Sequence, residues 1–291
     1  MARILIVGIA TLDIVNEVER YPVEDDEVRV RRQHRRCGGN AANTAMVLRQ
    51  FGHDCDFLGS FADDDGARFI RAEMAAAGID LRHAPVIAGA ATPTSYITLS
   101  RATGSRTIVH HRDLPELRCQ QCSELDFGAY DWIHFEGRNV DVSLSLLRAI
   151  DGRVPISVEI EKPRPDIENL FPLANLLLFS RQYARAVCCE DPHDFLATQA
   201  TTLPDRQLVC AWGERGAAAL RDGNYHWADA PRLAKVVDSV GAGDTFNAGI
   251  IAALLAGLEL PLALRDAVAL AARKCGQHGL GRLVPGPETS P

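Results

Sequence analysis

Asp244 follows three small residues in the run Asp238-Ser239-Val240-Gly241-Ala242-Gly243-Asp244-Thr245-Phe246-Asn247-Ala248-Gly249, which passes straight into the apolar Ile250-Ile251-Ala252-Ala253-Leu254-Leu255. Small residues let backbone come close to a ligand, and the free N–H groups of a helix start attract anions. A carboxylate in that place would repel a phosphate, so a site that only binds an anion has little use for Asp244. A site that transfers a phosphoryl group does need it, because the acceptor hydroxyl must be aimed and must give up its proton. The segment points to a phosphotransferase.

Other residues suit the second substrate. Cys37-Gly38-Gly39-Asn40-Ala41-Ala42-Asn43-Thr44-Ala45 puts a glycine pair before a helix and two asparagines on neighbouring positions of its first turn. Amides donate and accept together, which fits sugar hydroxyls; the plainer alternative is Asn40 as a helix cap with Asn43 exposed. Asp13 closes the first apolar strand, where α/β sheets bind ligands, and could accept from two vicinal hydroxyls; a turn aspartate is the alternative. Asp25, after Tyr21-Pro22, is a further sugar candidate, although Glu24, Asp26 and Glu27 beside it read as solvated charges. Trp212-Gly213-Glu214-Arg215-Gly216 follows a strand, and its two glycines would let a nucleotide approach, as many ordinary turns would.

The elements that must position these residues are short apolar runs: Arg3–Gly8, Asp131–Phe135, Pro155–Ile160, Asn175–Phe179 and Gln207–Ala211. Helical patterns alternate with them, at 43–51, 67–77, 142–149 and 183–187. That alternation predicts an α/β domain with a mostly parallel sheet covered on both faces, spanning about 1–284. No GxGxxG follows the first strand, so a dinucleotide fold gains no support. Residues 13–35 and 92–112 break the rhythm with alternating strands and a Thr103-Gly104-Ser105 turn, which predicts a small antiparallel β lid. The proline-containing tail, 285–291, is expected to be disordered.

Composition narrows the class. The 291 residues are 47% hydrophobic and 24% charged, with a net charge of −7, as in ordinary soluble domains. The only basic run, 29–36, reads as an exposed strand, so nucleic acid is not an expected partner. The absence of a long apolar span or a cleavable leader pattern argues against a membrane partner and for the cytoplasm. The eight scattered cysteines read as free thiols; Cys119-Gln120-Gln121-Cys122 lacks a second pair to complete a metal site, and Cys188-Cys189 with His193 is equally incomplete.

At Gly38–Asn43 with Gly52 and Gly59, and again at Asp238–Gly249, the chain resembles the ribokinase-like, or PfkB, family of carbohydrate kinases. Within that family it is most similar to the ketohexokinases, fructokinases that phosphorylate the 1-hydroxyl, through Gly104–Ile108, Trp132–Asn139, Ser157–Arg164, Cys210–Trp212 and Lys274–Gly276. The resemblance implies a ribokinase-like fold and transfer of the γ-phosphoryl of MgATP to a ketose, D-fructose giving fructose 1-phosphate. Asp244 would be the general base, with the amides of Gly241, Ala242 and Gly243 as the anion hole. Asp13, Gly39, Asn40 and Asn43 would hold the sugar. Arg106, Gly213, Glu214, Arg215, Gly216 and Cys275 would line the ATP site. Magnesium is implied, with Glu161 the one candidate residue, because Ser180-Arg181-Gln182-Tyr183 stands where many members carry Asn-x-x-Glu. A potassium site near Asp238–Gly241 and a homodimer formed through the lid also follow from the resemblance or from the lid's exposed edges. The same fold could serve another ketose, ribose or a nucleoside; a non-catalytic sensor on this scaffold would have no use for Asp244.

Overall fold

The computed structural model describes residues 1–122 and 125–284, and the tail expected to be disordered lies outside them. The chain opens with β1 (Arg3–Val7), β2 (Thr11–Val18), β3 (Arg32–Gly38), α1 (Asn40–Gln50), β4 (Asp54–Leu58), β5 (Phe61–Ala62) and α2 (Asp65–Ala76). It continues through β6 (Val86–Ile87), β7 (Ala91–Ser100), β8 (Arg106–Asp113), β9 (Trp132–Glu136), α3 (Val140–Ile150) and β10 (Ile156–Ile160). The remainder is β11 (Leu176–Ser180), α4 (Arg181–Ala186), α5 (Pro192–Ala200), β12 (Gln207–Ala211), β13 (Gly216–Arg221), β14 (Asn224–Asp229), α6 (Ala242–Leu255) and α7 (Leu260–Cys275).

Eight strands form the main sheet in the order β14-β13-β12-β11-β10-β9-β1-β4. The pairs from β12 through β4 are parallel, and β13 and β14 add an antiparallel edge. Strand residues point alternately to two cores: Ile4 and Ile6 pack into the one shared with α1, α2, α6 and α7, Leu5 and Val7 into the one shared with α3, α4 and α5. Burial on both faces is why these strands read as continuous apolar runs. Two polar exceptions pair with each other: Ser157 sits opposite His134 in the ladder, and its hydroxyl meets His134 Nδ1 at 2.8 Å and accepts from Trp132 Nε1 at 2.9 Å. Burial drives the His134 pKa down to about 3, so this imidazole stays neutral.

The lid is a second sheet, β3-β2-β7-β8. Its two hairpin-like pairs are antiparallel, but β2 and β7 run parallel from Leu12↔Thr94 to Val18↔Ser100, a correction to the all-antiparallel expectation. The physical reason is the connection: β2 reaches β7 only through β3, α1, β4, β5, α2 and β6, long enough for the chain to re-enter the lid beside β2 in β2's own direction. Within the basic run, residues 32–35 are largely exposed on β3, whereas the Arg36 side chain turns inward. On the lid's inner face Val15, Ile97 and Leu99 form a small cluster against Val240, the residue before Gly241.

Candidate active site

Because the strands from β1 to β12 are parallel, their carboxyl ends share one edge, and the functional side chains collect there. Gly241 caps α6 with φ 84°, a left-handed conformation that favours glycine. The Ala242 amide makes only a 3.4 Å contact with the Ser239 carbonyl, and a Cβ at Gly243 would meet nothing within 4 Å. The helix start therefore opens onto space with its first N–H groups forward.

Asp244 lies in that first turn, 6% exposed, and its Oδ2 accepts from Asn43 Nδ2 at 2.7 Å. The contact joins the starts of α6 and α1. Burial above all pushes the Asp244 carboxyl well above the usual carboxylate range; the Asn43 bond opposes this, and Glu161, Glu136 and Asp13 reinforce it. Asp13, also buried, accepts from the Thr11 hydroxyl at 3.0 Å and lies 3.8 Å from Arg36 Nε. Its carboxyl is raised by burial and held back by Arg36. The glycine pair fits this packing: Gly39 has φ 96° with the Ile9 carbonyl against it, and a Cβ on Gly38 would collide with the Asp13 carboxylate.

Asn40 does not cap α1; its Nδ2 points at two carboxylates, Glu159 at 3.2 Å and Glu161 at 3.3 Å. Asn43 is buried rather than exposed. The plainer alternative, a capping Asn40 with an exposed Asn43, is therefore not what the fold adopts. Glu159 also accepts from Asn247 Nδ2 at 3.0 Å, and burial, then the nearby Asp244, Glu136 and Glu161, push its carboxyl well up. Glu136, opposite Glu159 in the ladder, accepts from the Ile9 amide at 3.0 Å and pairs with Arg138 at 3.4 Å. Sequence reasoning missed Glu136, Glu159 and Asn247. The available signal was a charged residue inside each of two otherwise buried strands, with Glu159 and Glu161 two apart and hence on one side of the chain. The Glu161 side chain is 40% exposed and faces Lys162 at 3.2 Å. Carboxylate oxygens at an open cleft are the hard donors magnesium takes, so Glu161, with Glu159 across Asn40, fits that ion.

Asp238, at the head of the glycine loop, fits a monovalent metal ion poorly. Lys274 Nζ donates to its carbonyl oxygen at 2.7 Å and lies 3.2 Å from Oδ2, while Arg36 Nη1 takes Oδ2 at 2.9 Å. The two cations hold the Asp238 carboxyl down at about 2, against burial.

The lid reaches the same loop: Arg106 Nη1, at the start of β8, donates to Ser239 Oγ at 2.7 Å. Cys275, at the end of α7, accepts through its carbonyl from the Val237 amide at 2.8 Å. Residues 213–216 turn at the end of β12, two strands along the sheet from β10, and Arg181 pairs there with Glu214 at 3.0 Å. Asp25 is not brought to the cleft; it sits exposed on a turn with φ 64°. All eight cysteines are free, and among the described residues they do not converge on a metal set.

Beside Asp13, Ser95 carries the contact outward, its hydroxyl 3.2 Å from His110 Nδ1. Arg112 follows on the same strand, 3.1 Å from Glu116, which also pairs with Arg138 at 3.2 Å. Nη1 of Arg112 and Nη2 of Arg36 are buried without a hydrogen-bond partner.

The model of the pfkB family carbohydrate kinases matches residues 1–286. Ketohexokinase of Mus musculus is 35% identical over 294 residues, covering 97% of this chain and 99% of that protein. The ATP-dependent ribose-1-phosphate kinase of Halopiger xanaduensis is 27% identical, covering 96% and 94%. Among solved structures, Arabidopsis thaliana ribokinase complexed with ribose and ATP superposes with a TM-score of 0.79 at 20% identity, covering 98% and 96%. Among the described residues, no helix is long and apolar enough to cross a membrane.

Proposed function

The chain belongs to the pfkB family of carbohydrate kinases and is an ATP-dependent sugar kinase, and we propose that its acceptor is a ketose, D-fructose giving fructose 1-phosphate. The chemistry rests on the 2.7 Å contact between Asn43 and Asp244, which fixes a shielded carboxylate beside an open helix start. The choice of ketose rests on the full-length likeness to a ketohexokinase.

In this reading Asp244 aims one hydroxyl at the γ-phosphorus and accepts its proton late, as a loose transition state allows. A carboxyl raised by burial has the greater proton affinity, which suits a base. The amides of Gly241, Ala242 and Gly243 stabilise charge as it develops on the transferring group. Asp13, Gly39, Asn40 and Asn43 hold the sugar. Arg106, residues 213–216 and Cys275 address the nucleotide. Glu161 and Glu159 would hold magnesium, which supplies charge neutralisation when bound with ATP. The lid excludes water, and its exposed Tyr96 and Val109, opposite each other in the β7–β8 ladder, supply an apolar face through which two copies would pair.

One observation favours a second acceptor. The unpartnered guanidinium nitrogens of Arg36 and Arg112, with His110 beside Ser95, would suit a sugar carrying an acidic group, such as a sugar phosphate. ADP release with MgATP over D-fructose, other ketoses, D-ribose, ribose 1-phosphate, adenosine and no sugar separates these. Turnover greatest on D-fructose, with product shown by NMR to carry phosphate at the 1-position, is the expected result. Preference for ribose 1-phosphate would move the assignment to the acidic acceptor, and silence across the panel with ATP still bound would favour a sensor.

A further inference from the structure

We propose that Lys274 is the resident cation of the phosphoryl-binding loop, and that transfer by this kinase does not depend on potassium. The proposal rests on the kinase reading above and adds to it the means by which the loop is held. Lys274 lies in the last turn of α7 and is 0% exposed. Its ammonium holds both kinds of oxygen that Asp238 offers, the main-chain carbonyl at 2.7 Å and the carboxylate at 3.2 Å. The rest of the Asp238 carboxylate is spoken for: Oδ1 accepts from the Val240 amide at 2.9 Å, and Oδ2 from the Gly279 amide at 3.2 Å and Arg36 at 2.9 Å. One carboxylate thus faces two cations and two amides. A third cation would enter against two like charges in a poorly solvated space, which is strongly unfavourable.

The choice of side chain supports this role. The chain carries twenty-eight arginines and only three lysines, Lys162, Lys235 and Lys274, and one of the three is the wholly buried one. An ammonium is a compact point charge with donors that fit between a carbonyl and a carboxylate; a planar guanidinium fork is not. The bond to the Asp238 carbonyl fixes the peptide from which Ser239, Val240 and Gly241 run to the helix start. Lys274 is therefore a positioning residue: it touches neither substrate nor the reacting atoms but sets the loop whose amides meet the phosphoryl group. Burial lowers the Lys274 pKa below its ordinary value, and the contact with Asp238 opposes that shift.

The test uses the full chain in potassium, sodium and tetramethylammonium chloride at equal ionic strength. ADP release with MgATP and the best acceptor is expected to run at the same rate in all three, and the ligand-free protein to melt at the same temperature. A rate several-fold higher in potassium alone, or a melting temperature raised by potassium alone, overturns the proposal. Lys274→Met is expected to lose most of the rate and to recover part of it in potassium, which can enter the vacated place. A normal rate for Lys274→Met in tetramethylammonium would show that the ammonium does not position the loop. Should that variant not fold, the melting comparison on the unaltered chain still decides. Should no acceptor be turned over in any salt, the kinase reading fails while the melting comparison continues to test Lys274.

Discussion

Asp244 is subject to two opposing demands. Aiming a hydroxyl requires a fixed carboxylate, and the Asn43 bond with burial in the α6 turn supplies the fixing. The same burial, among Glu161, Glu136 and Asp13, makes the negative charge unfavourable until a substrate hydroxyl arrives to share it. Asp244→Asn is accordingly expected to lower kcat by on the order of 10²-fold or more, the usual contribution of a positioned base. It is also expected to raise the melting temperature of the ligand-free protein, since a neutral amide replaces a buried charge. Steady-state kinetics and thermal melts check both, and a near-normal kcat would remove Asp244 from the chemistry.

Among the elements, the lid sheet is tied to the catalytic loop twice, by Arg106 on Ser239 and by the Val15, Ile97 and Leu99 cluster on Val240. Arg106→Ala is expected to raise KM for ATP by about tenfold with a smaller effect on KM for sugar, the loss of one charge-assisted hydrogen bond. Equal effects on both would mean that Arg106 only braces the lid. Of the main sheet, β1, β9, β10, β11 and β12 were legible in the sequence because burial on both faces demands unbroken apolar runs, whereas β4 and the antiparallel edge β13–β14 were not read. The parallel pairing of β2 with β7 was not, because alternation tells which face is buried and not which strand lies alongside. Asp244, Asn40 and Asn43 were legible from their place at helix starts. Glu136 and Glu159 stood out only as charged residues in apolar strands, a signal that marks them as unusual but gives them no role until their partners are in place. Lys274, in Ala-Ala-Arg-Lys-Cys, looks like any solvated helix lysine; only the fold closes over it.

For the whole molecule, the buried charges set opposite pH dependences. Asp244, Glu159, Glu136 and Asp13 all have raised folded-state pKa values, so the folded protein binds more protons than the unfolded chain above the ordinary carboxylate range. Their contribution to stability therefore falls as pH rises through that window. Asp238 works the other way: its pKa drops from 3.8 to about 2, so its contribution is present above 3.8 and is lost as pH falls toward 2. Melting temperature of the ligand-free protein is expected to peak in mild acid and decline toward neutrality, and Asp244→Asn to flatten the decline. A melting temperature that climbs steadily to neutrality would contradict the assignment of these carboxyls as buried and charge-crowded.

Trp212 draws one more consequence from this architecture. It is 1% exposed, its amide bonds to the Gly216 carbonyl at 2.8 Å, and it leads into the turn at Gly213 that Arg181 faces. Of the three tryptophans, Trp132 is fixed in the sheet by Ser157 and Trp227 lies on the edge strand. A shielded indole adjoining the proposed nucleotide turn offers the protein an optical reporter of its own: its emission is expected to shift as ATP fills the turn, and can be followed without any attached dye.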